Sequence, residues 1–96
     1  MGRVDLADPV CPLCRGDGGR LLVRHDDWRV VLADDPDYPA FTRVIWNAHV
    51  AEMSDLRPAE RDELMRVVLA VELVQRELLS PDKVNLASFG NVVAHL

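Results

Sequence analysis

The sequence predicts an α+β domain: an antiparallel sheet of about five strands with one long helix, the final strand being incomplete. Three observations support this fold class. Strand-like runs fill residues 20–49, a helical period covers 58–79, and strand-like runs return over 83–96. One helix over antiparallel strands is an α+β layer arrangement. A chain of 96 residues fits a single domain, 1–96, in which residues 1–8 are expected to be a flexible arm.

The first half of the chain contains three strand-like segments. "RLLVRH" (20–25) and "WRVVLA" (28–33) are apolar runs separated by two aspartates, a pattern typical of a β-hairpin. A loop with two prolines and three acids precedes the third segment, "TRVIWNAH" (42–49). Residues 1–19, which are rich in proline and glycine, are expected to be irregular.

The long helix is predicted between Pro58 and Leu79. Proline suits the first helical position, where its missing N–H costs no hydrogen bond. Ser80-Pro81 is expected to end the helix. Apolar residues recur at the i, i+3, i+4 and i+7 spacing of an amphipathic helix, namely at Leu64, Val67, Val68, Val71, Val74, Leu78 and Leu79.

The closing segment, "KVNLASFGNVVAHL" (83–96), has strand character again. Gly90 divides it into "KVNLASF" and "VVAHL", which predicts a hairpin or a sharp bend between two strands. The last run is almost entirely apolar, so we expect it to lie deep in the sheet. Because a strand that stops at Leu96 leaves backbone groups unpaired, the natural polypeptide is expected to continue.

The composition excludes several classes of partner. The net charge is −5 with a pI near 5.0, and no basic cluster is present, which argues against nucleic-acid binding. No run of ~18 apolar residues predicts a membrane span. The N-terminus carries acids and lacks the apolar core of a signal peptide. A cytoplasmic location is therefore the expectation.

The two cysteines form one Cys-x-x-Cys pair, Cys11 and Cys14. A disulfide is disfavoured in a reducing cytosol. A thioredoxin-like redox pair belongs to a βαβ pattern, which is not predicted here. Half of a zinc site would need two further ligands elsewhere in the chain. The spacing by itself leaves a metal site, a redox pair and an incidental pair all open.

The three histidines differ in their predicted surroundings. His25 lies in an exposed turn beside two aspartates, where a solvated role is expected. His49 ends the third strand and His95 lies in the last one, and a histidine on an apolar strand is commonly a core residue. Together with the Cys-x-x-Cys pair, however, these two complete a tetrahedral Cys2His2 set. Four protein ligands leave no open position, so such a metal would be structural and would hold the N-terminal arm in place.

Two segments carry a family resemblance. "TRVIWNAHVAEMSDL", the helix after it and "VNLASFGNVVAHL" together resemble the histidine triad (HIT) family over about residues 9–96. The signature of that family is His-x-His-x-His, which usually follows a Gly-polar-x-Val-x stretch. Here "GNVVA" precedes His95, which corresponds to the first triad histidine, and Leu96 corresponds to the spacer after it. The second and third histidines are absent from the 96 residues, so the sequence resembles one cut inside its signature.

The resemblance implies a nucleotide phosphate hydrolase or a nucleotidyl transferase. In the family the middle histidine attacks the α-phosphate of a nucleotide and forms a covalent nucleotidyl-histidine, which water or another acceptor then resolves. No catalytic residue is therefore assigned within the 96 residues, and this chain is expected to be inactive by itself. The alternative is a zinc-stapled module that binds nucleotides without turnover.

The resemblance also assigns a structural zinc to four residues. Many bacterial members carry zinc on two N-terminal cysteines, a histidine after the third strand and the first triad histidine. The corresponding residues in this sequence are Cys11, Cys14, His49 and His95.

Substrate contacts follow from the resemblance at three further positions. Asn85 is similar to a strand asparagine that contacts ribose or phosphate, whereas Gly90 and Asn91 are similar to a pair lining the phosphate site. A simple bend before the last strand explains that pair nearly as well. Phe41-Thr42 stands where the family often has Gly-His or Thr-His, which leaves the substrate class open. The expected partners are a nucleotide, nucleoside phosphoramidate or dinucleotide, and a second copy of the chain in a homodimer.

Overall fold

The structure is a computed structural model that describes residues 11–88 and 94–96. The described residues form two helices, three strands and a short 3₁₀ turn. They are α1 (Pro12–Arg15), β1 (Arg20–Arg24), β2 (Trp28–Leu32), β3 (Thr42–Trp46), the 3₁₀ turn Met53–Asp55 and α2 (Pro58–Leu79). The α+β class is thus confirmed.

The three strands form one antiparallel sheet in the order β1-β2-β3. The predicted hairpin is confirmed: the His25 N–H donates to the Trp28 carbonyl at 2.8 Å and closes the turn. Between Leu21 and Val23 the register of β1 against β2 shifts by one residue. The β2–β3 ladder has no such shift and pairs Trp28 with Trp46. The central strand β2 is consequently held on both edges.

The helix α2 begins and ends where the sequence predicts. Pro58 occupies its first turn, and the Glu60 carboxylate accepts the Arg57 N–H at 2.9 Å. Ser80 adopts a left-handed conformation, with φ of 47°, and donates its N–H to the Arg76 carbonyl. This αL cap stops the helix immediately before Pro81.

The core lies between β3 and the first half of α2. Trp46 is 1% exposed and packs in one cluster with Val50, Leu56 and Leu64. Within α2, only Leu64 and Val67 are buried. The rest of its apolar stripe is half-buried or exposed, so the helix contributes one end of its stripe to the core.

Two predictions need correction. Residues 12–15 form the short helix α1, although the sequence predicts irregular structure there, because Cys11 accepts backbone hydrogen bonds from Cys14 and Arg15, at 3.1 Å each. Within 83–88 and 94–96 no strand is formed, so the described sheet has three strands and not five. The predicted break at Gly90 lies outside the described residues.

No helix in the described part of the chain is long and apolar enough to cross a membrane.

Candidate metal centre

The Cys-x-x-Cys pair is shaped by α1. Cys11 is the residue before the helix and Cys14 lies within its single turn. Residues three apart on a helical turn lie on the same side, so both sulfur atoms face one point. Cys11 is buried and Cys14 half-buried, and no disulfide joins them. The pair is thus presented as two thiols by a single helical turn.

The two histidines come from chain segments that meet at the end of β3. His49 lies three residues beyond β3, and is half-buried. His95 is buried, and its neighbour Leu96 is tied to the same place: the Trp46 N–H donates to the Leu96 carbonyl, and the Leu96 N–H donates to the Val50 carbonyl. These backbone bonds bring residue 95 beside residue 49.

The four side chains converge. One ligand atom from each of Cys11, Cys14, His49 and His95 can be chosen so that all four lie within 4.8 Å of one another. Sulfur-to-Nδ1 distances are 3.4 Å for Cys11–His95, 3.3 Å for Cys14–His49 and 3.5 Å for Cys14–His95. A tetrahedral zinc with ligands at ~2.3 Å (S) and ~2.0–2.1 Å (N) holds a sulfur and a nitrogen about 3.5 Å apart. The donor set therefore fits a tetrahedral metal ion.

His95 is oriented by a backbone partner. Its Nε2 lies 2.6 Å from the Trp46 carbonyl oxygen, and since a carbonyl can only accept, Nε2 carries the proton and donates it. In the neutral ring Nδ1 then has its lone pair free and directed at the two sulfurs. Burial lowers the pKa of His95 and outweighs the opposite effect of the bond to Trp46, with smaller lowering effects from His49 and Arg29. The neutral, metal-binding form is favoured.

His25 stays outside this cluster, as predicted. It is exposed, and its ring stacks on Trp28 with centroids 4.8 Å apart.

Sequence comparison assigns the family. Residues 18–96 match the family model described as the HIT domain, which covers most of the chain. The chain belongs to the HIT family. No curated protein matches it. The HIT match includes His49 and His95 but begins after Cys11 and Cys14, so the cysteine half of the metal centre rests on the geometry above.

The residues expected to contact substrate are only partly described. Asn85 is exposed and lines, together with His95, a cavity of about 680 Å³ bounded by β3 and α2. Tyr38 and Phe41 line the same cavity, with their rings edge to face and centroids 6.4 Å apart. Gly90 and Asn91 lie outside the described residues.

The sequence analysis missed two polar residues beside the metal centre of this HIT domain. Arg29 is 4% exposed in the middle of β2, and it is hydrogen-bonded to Asn47, two residues before His49. Burial and the charge of Arg24 lower the pKa of Arg29, whereas Asp17, Cys14 and Cys11 raise it. The available signal was an arginine inside the apolar run "WRVVL".

Proposed function

We propose that this HIT protein is a nucleotide phosphate hydrolase or nucleotidyl transferase that acts through a covalent nucleotidyl-histidine. The observation that carries this function is the HIT-domain match over residues 18–96. In the signature, the nucleophile is the second histidine, two positions after His95. Residues 1–96 would therefore supply the metal centre and the binding surface, and not the attacking imidazole.

We propose zinc as the metal. Two thiolates and two neutral imidazoles suit Zn²⁺, and the sulfur–nitrogen distances of 3.3–3.5 Å support a tetrahedral arrangement. All four positions would be filled by protein, so the ion would be structural: it would hold α1 against the end of β3. The donation from His95 Nε2 to the Trp46 carbonyl would fix the imidazole plane at the start of the triad.

The substrate class we propose is a nucleotide, a nucleoside phosphoramidate or a dinucleotide. The cavity lined by Asn85 and His95 has a volume typical of small-molecule sites. The Asn85 amide offers both a donor and an acceptor for ribose or phosphate oxygens. Gly90 and Asn91 are proposed to complete the phosphate side.

Calorimetry with AMP and GMP on the zinc-loaded chain tests nucleotide binding, and an assay for AMP and morpholine released from AMP-morpholidate by the natural polypeptide tests turnover. We expect binding that Asn85→Ala weakens by about 10–150-fold, since a lost hydrogen bond to a charged group costs about 1.5–3 kcal/mol. Asp82→Ala, another exposed position before Asn85, is the matched control and should bind as the unmodified chain does. Absence of nucleotide binding in the unmodified, zinc-loaded chain would reject the function.

A non-catalytic, zinc-stapled nucleotide-binding module is the second candidate. It is favoured by one observation: the four converging ligands and the cavity lined by Asn85 would serve binding without any nucleophile. Nucleotide binding without product release by the natural polypeptide supports the module, whereas release with a trapped nucleotidyl-histidine supports the enzyme.

We further propose a cytoplasmic homodimer. Apolar residues on the second half of α2 are exposed, with Leu73 at 52% and Leu78 at 76%. Leu78 lines, together with Val74 and with Leu22 and Val23 of β1, an apolar cavity of about 520 Å³. A second copy would cover such a surface. Light scattering should give twice the chain mass, and Leu78→Glu should halve it; a monomeric unmodified protein at micromolar concentration would contradict the dimer.

A further inference from the structure

A buried arginine lies between the two halves of the metal centre. Arg29 is 4% exposed, and burying a guanidinium is unfavourable unless its N–H groups find acceptors. Among the described residues it donates to four neutral oxygens: three backbone carbonyls and one side-chain amide. These hydrogen bonds explain how the guanidinium is accommodated inside the protein.

One side of the guanidinium holds the cysteine turn. Arg29 Nη2 donates to the Leu13 carbonyl at 2.6 Å and to the Gly16 carbonyl at 3.1 Å, while Nε donates to the Asp17 carbonyl at 2.9 Å. The last carbonyls of a helix lack partners inside the helix. A helix of four residues has almost no stability of its own. Arg29 therefore supplies the contacts that keep α1, and with it Cys14, in place.

The other side of the guanidinium reaches the histidine segment. Arg29 Nη1 donates to Asn47 Oδ1 at 2.8 Å. Asn47 in turn donates from Nδ2 to the carbonyls of His25 and Asp26, and from its backbone N–H to Asp27. This asparagine is fixed at three points of the β1–β2 turn, two residues before His49.

We propose that Arg29, acting with Asn47, is a positioning residue of the metal centre. It sets the separation between the turn that carries Cys11 and Cys14 and the segment that carries His49. The thiolates and imidazoles are then held close to their metal-bound positions before the ion arrives. Partners of this kind outside the ligand set commonly affect metal affinity by about 10–100-fold when removed. The inference rests on the metal centre alone and does not depend on hydrolytic activity.

Four variants of the full chain test this role. Arg29→Met keeps the length of the side chain and removes all donors; Arg29→Lys keeps the charge but has a single ammonium that cannot span four acceptors. Asn47→Ala removes only the link to the histidine segment. Arg43→Met is the matched control, since Arg43 lies on the adjacent strand and donates to the Gly18 carbonyl of the same loop from an exposed position.

Two readouts are needed at a temperature where circular dichroism shows each variant folded. Competition with a chromophoric chelator gives the Kd for Zn²⁺. The visible spectrum of the Co²⁺-loaded protein reports coordination geometry, which a general loss of stability would leave unchanged. We expect Arg29→Met to weaken Zn²⁺ binding by about 10–100-fold and to alter the Co²⁺ spectrum, with Arg29→Lys between it and the unmodified chain. Asn47→Ala should weaken Zn²⁺ binding by at least about threefold. Arg43→Met should change the Kd for Zn²⁺ by less than about threefold.

Unchanged Zn²⁺ affinity and an unchanged Co²⁺ spectrum in folded Arg29→Met would overturn the role. So would equal losses in Arg29→Met and Arg43→Met with the unmodified spectrum in both, because the effect would then be general. If Arg29→Met does not fold, Asn47→Ala and Arg29→Lys decide: a weaker, spectrally altered site supports the role, and an unmodified one rejects it. Failure of the unmodified chain to bind Zn²⁺ or Co²⁺ would reject the metal centre together with this inference.

Discussion

The metal centre and the second half of α2 differ in how far the rest of the protein covers their side chains. At the metal centre, polar side-chain atoms from three distant chain segments meet inside the protein: Cys11 contacts His95, Cys14 contacts His49, and His95 contacts the Trp46 carbonyl. On α2, by contrast, Leu69, Leu73 and Leu78 are more than half exposed. The first region is enclosed by the protein, whereas within the described residues the second presents apolar side chains to solvent.

This difference indicates where stability comes from. A small domain buries too little apolar surface to be robust alone, and a metal or a partner subunit is the usual supplement. The core around Trp46 lies beside both regions: its backbone contacts His95 and Leu96, and its side chain packs near Leu64 of α2. Changes at the metal centre are therefore expected to act on folding, and changes on the exposed helix face on assembly.

Metal removal should have the largest effect. A ligand that binds only the folded state, at about 1,000 times its Kd, adds about 4 kcal/mol, which corresponds to a Tm difference of roughly 15–30 °C for a domain of this size. Calorimetry of the zinc-loaded protein before and after treatment with a chelator measures this. Cys14→Ser should lower the Tm of the loaded protein similarly, and Mg²⁺, which prefers oxygen ligands, should not restore it. An unchanged Tm would contradict a folding role for the metal.

Substitutions of two leucines on α2 compare the core with the exposed face of the helix. Leu64 is 3% exposed, so Leu64→Ala should lower the free energy of unfolding by about 2–5 kcal/mol through lost burial and a residual cavity. Leu73 is 52% exposed, so Leu73→Ala should change it by less than about 0.5 kcal/mol in the monomer. Urea denaturation at low protein concentration makes the comparison. Equal losses would mean that α2 packs differently.

Gly18, in the loop after the cysteine turn, is expected to be sensitive to substitution. Its φ of +83° lies in the left-handed region, and an added Cβ would lie 2.7 Å from Leu13 Cδ2 and 2.9 Å from Ile45 Cδ1. Gly18→Ala should therefore destabilise the protein by about 1–3 kcal/mol. Gly16→Ala, where the nearest non-neighbouring atom is 3.8 Å from such a Cβ, is the control. Urea midpoints that fall equally in the two variants would argue against this local conformation.

The smallest effect should come from the exposed ion pair on α2. A two-point hydrogen bond from Arg66 lowers the pKa of Glu63 to about 2, and the Trp28 indole N–H adds to it. Because the folded-state pKa lies below the ordinary value of 4.5, this contribution is present above about pH 4.5 and is lost as the pH falls towards 2. Glu63→Gln should flatten the dependence of the urea midpoint between pH 5 and 3 relative to the unmodified chain.

Glu72→Gln provides the comparison for that pH effect. Glu72 is placed 3.9 Å from Arg76 on the same helix, too far for a hydrogen bond. Its replacement should leave the pH dependence close to that of the unmodified protein. If both variants flatten the profile equally, the contacts of Glu63 with Arg66 and Trp28 have no special role.

Local patterns were sufficient for the elements with strong signals of their own. The helical period and its flanking proline and serine-proline predicted α2 to the residue, and the paired aspartates predicted the β1–β2 hairpin. Local patterns failed for α1, which is one turn long and receives a hydrogen bond from Arg29 of β2. They also predicted strands over 83–88 and 94–96, where apolar content alone does not establish pairing.

The sequence by itself determined the ligand types, the HIT resemblance and the main helix, because residue chemistry and periodicity are local properties. Only the tertiary structure decided that Cys11, Cys14, His49 and His95 meet, with ligand atoms within 4.8 Å, and that Arg29 links their two halves. Residues separated by up to 84 positions come together only through the pairing of strands and the closing of loops. Those contacts depend on packing across the whole chain, which no short stretch of sequence specifies.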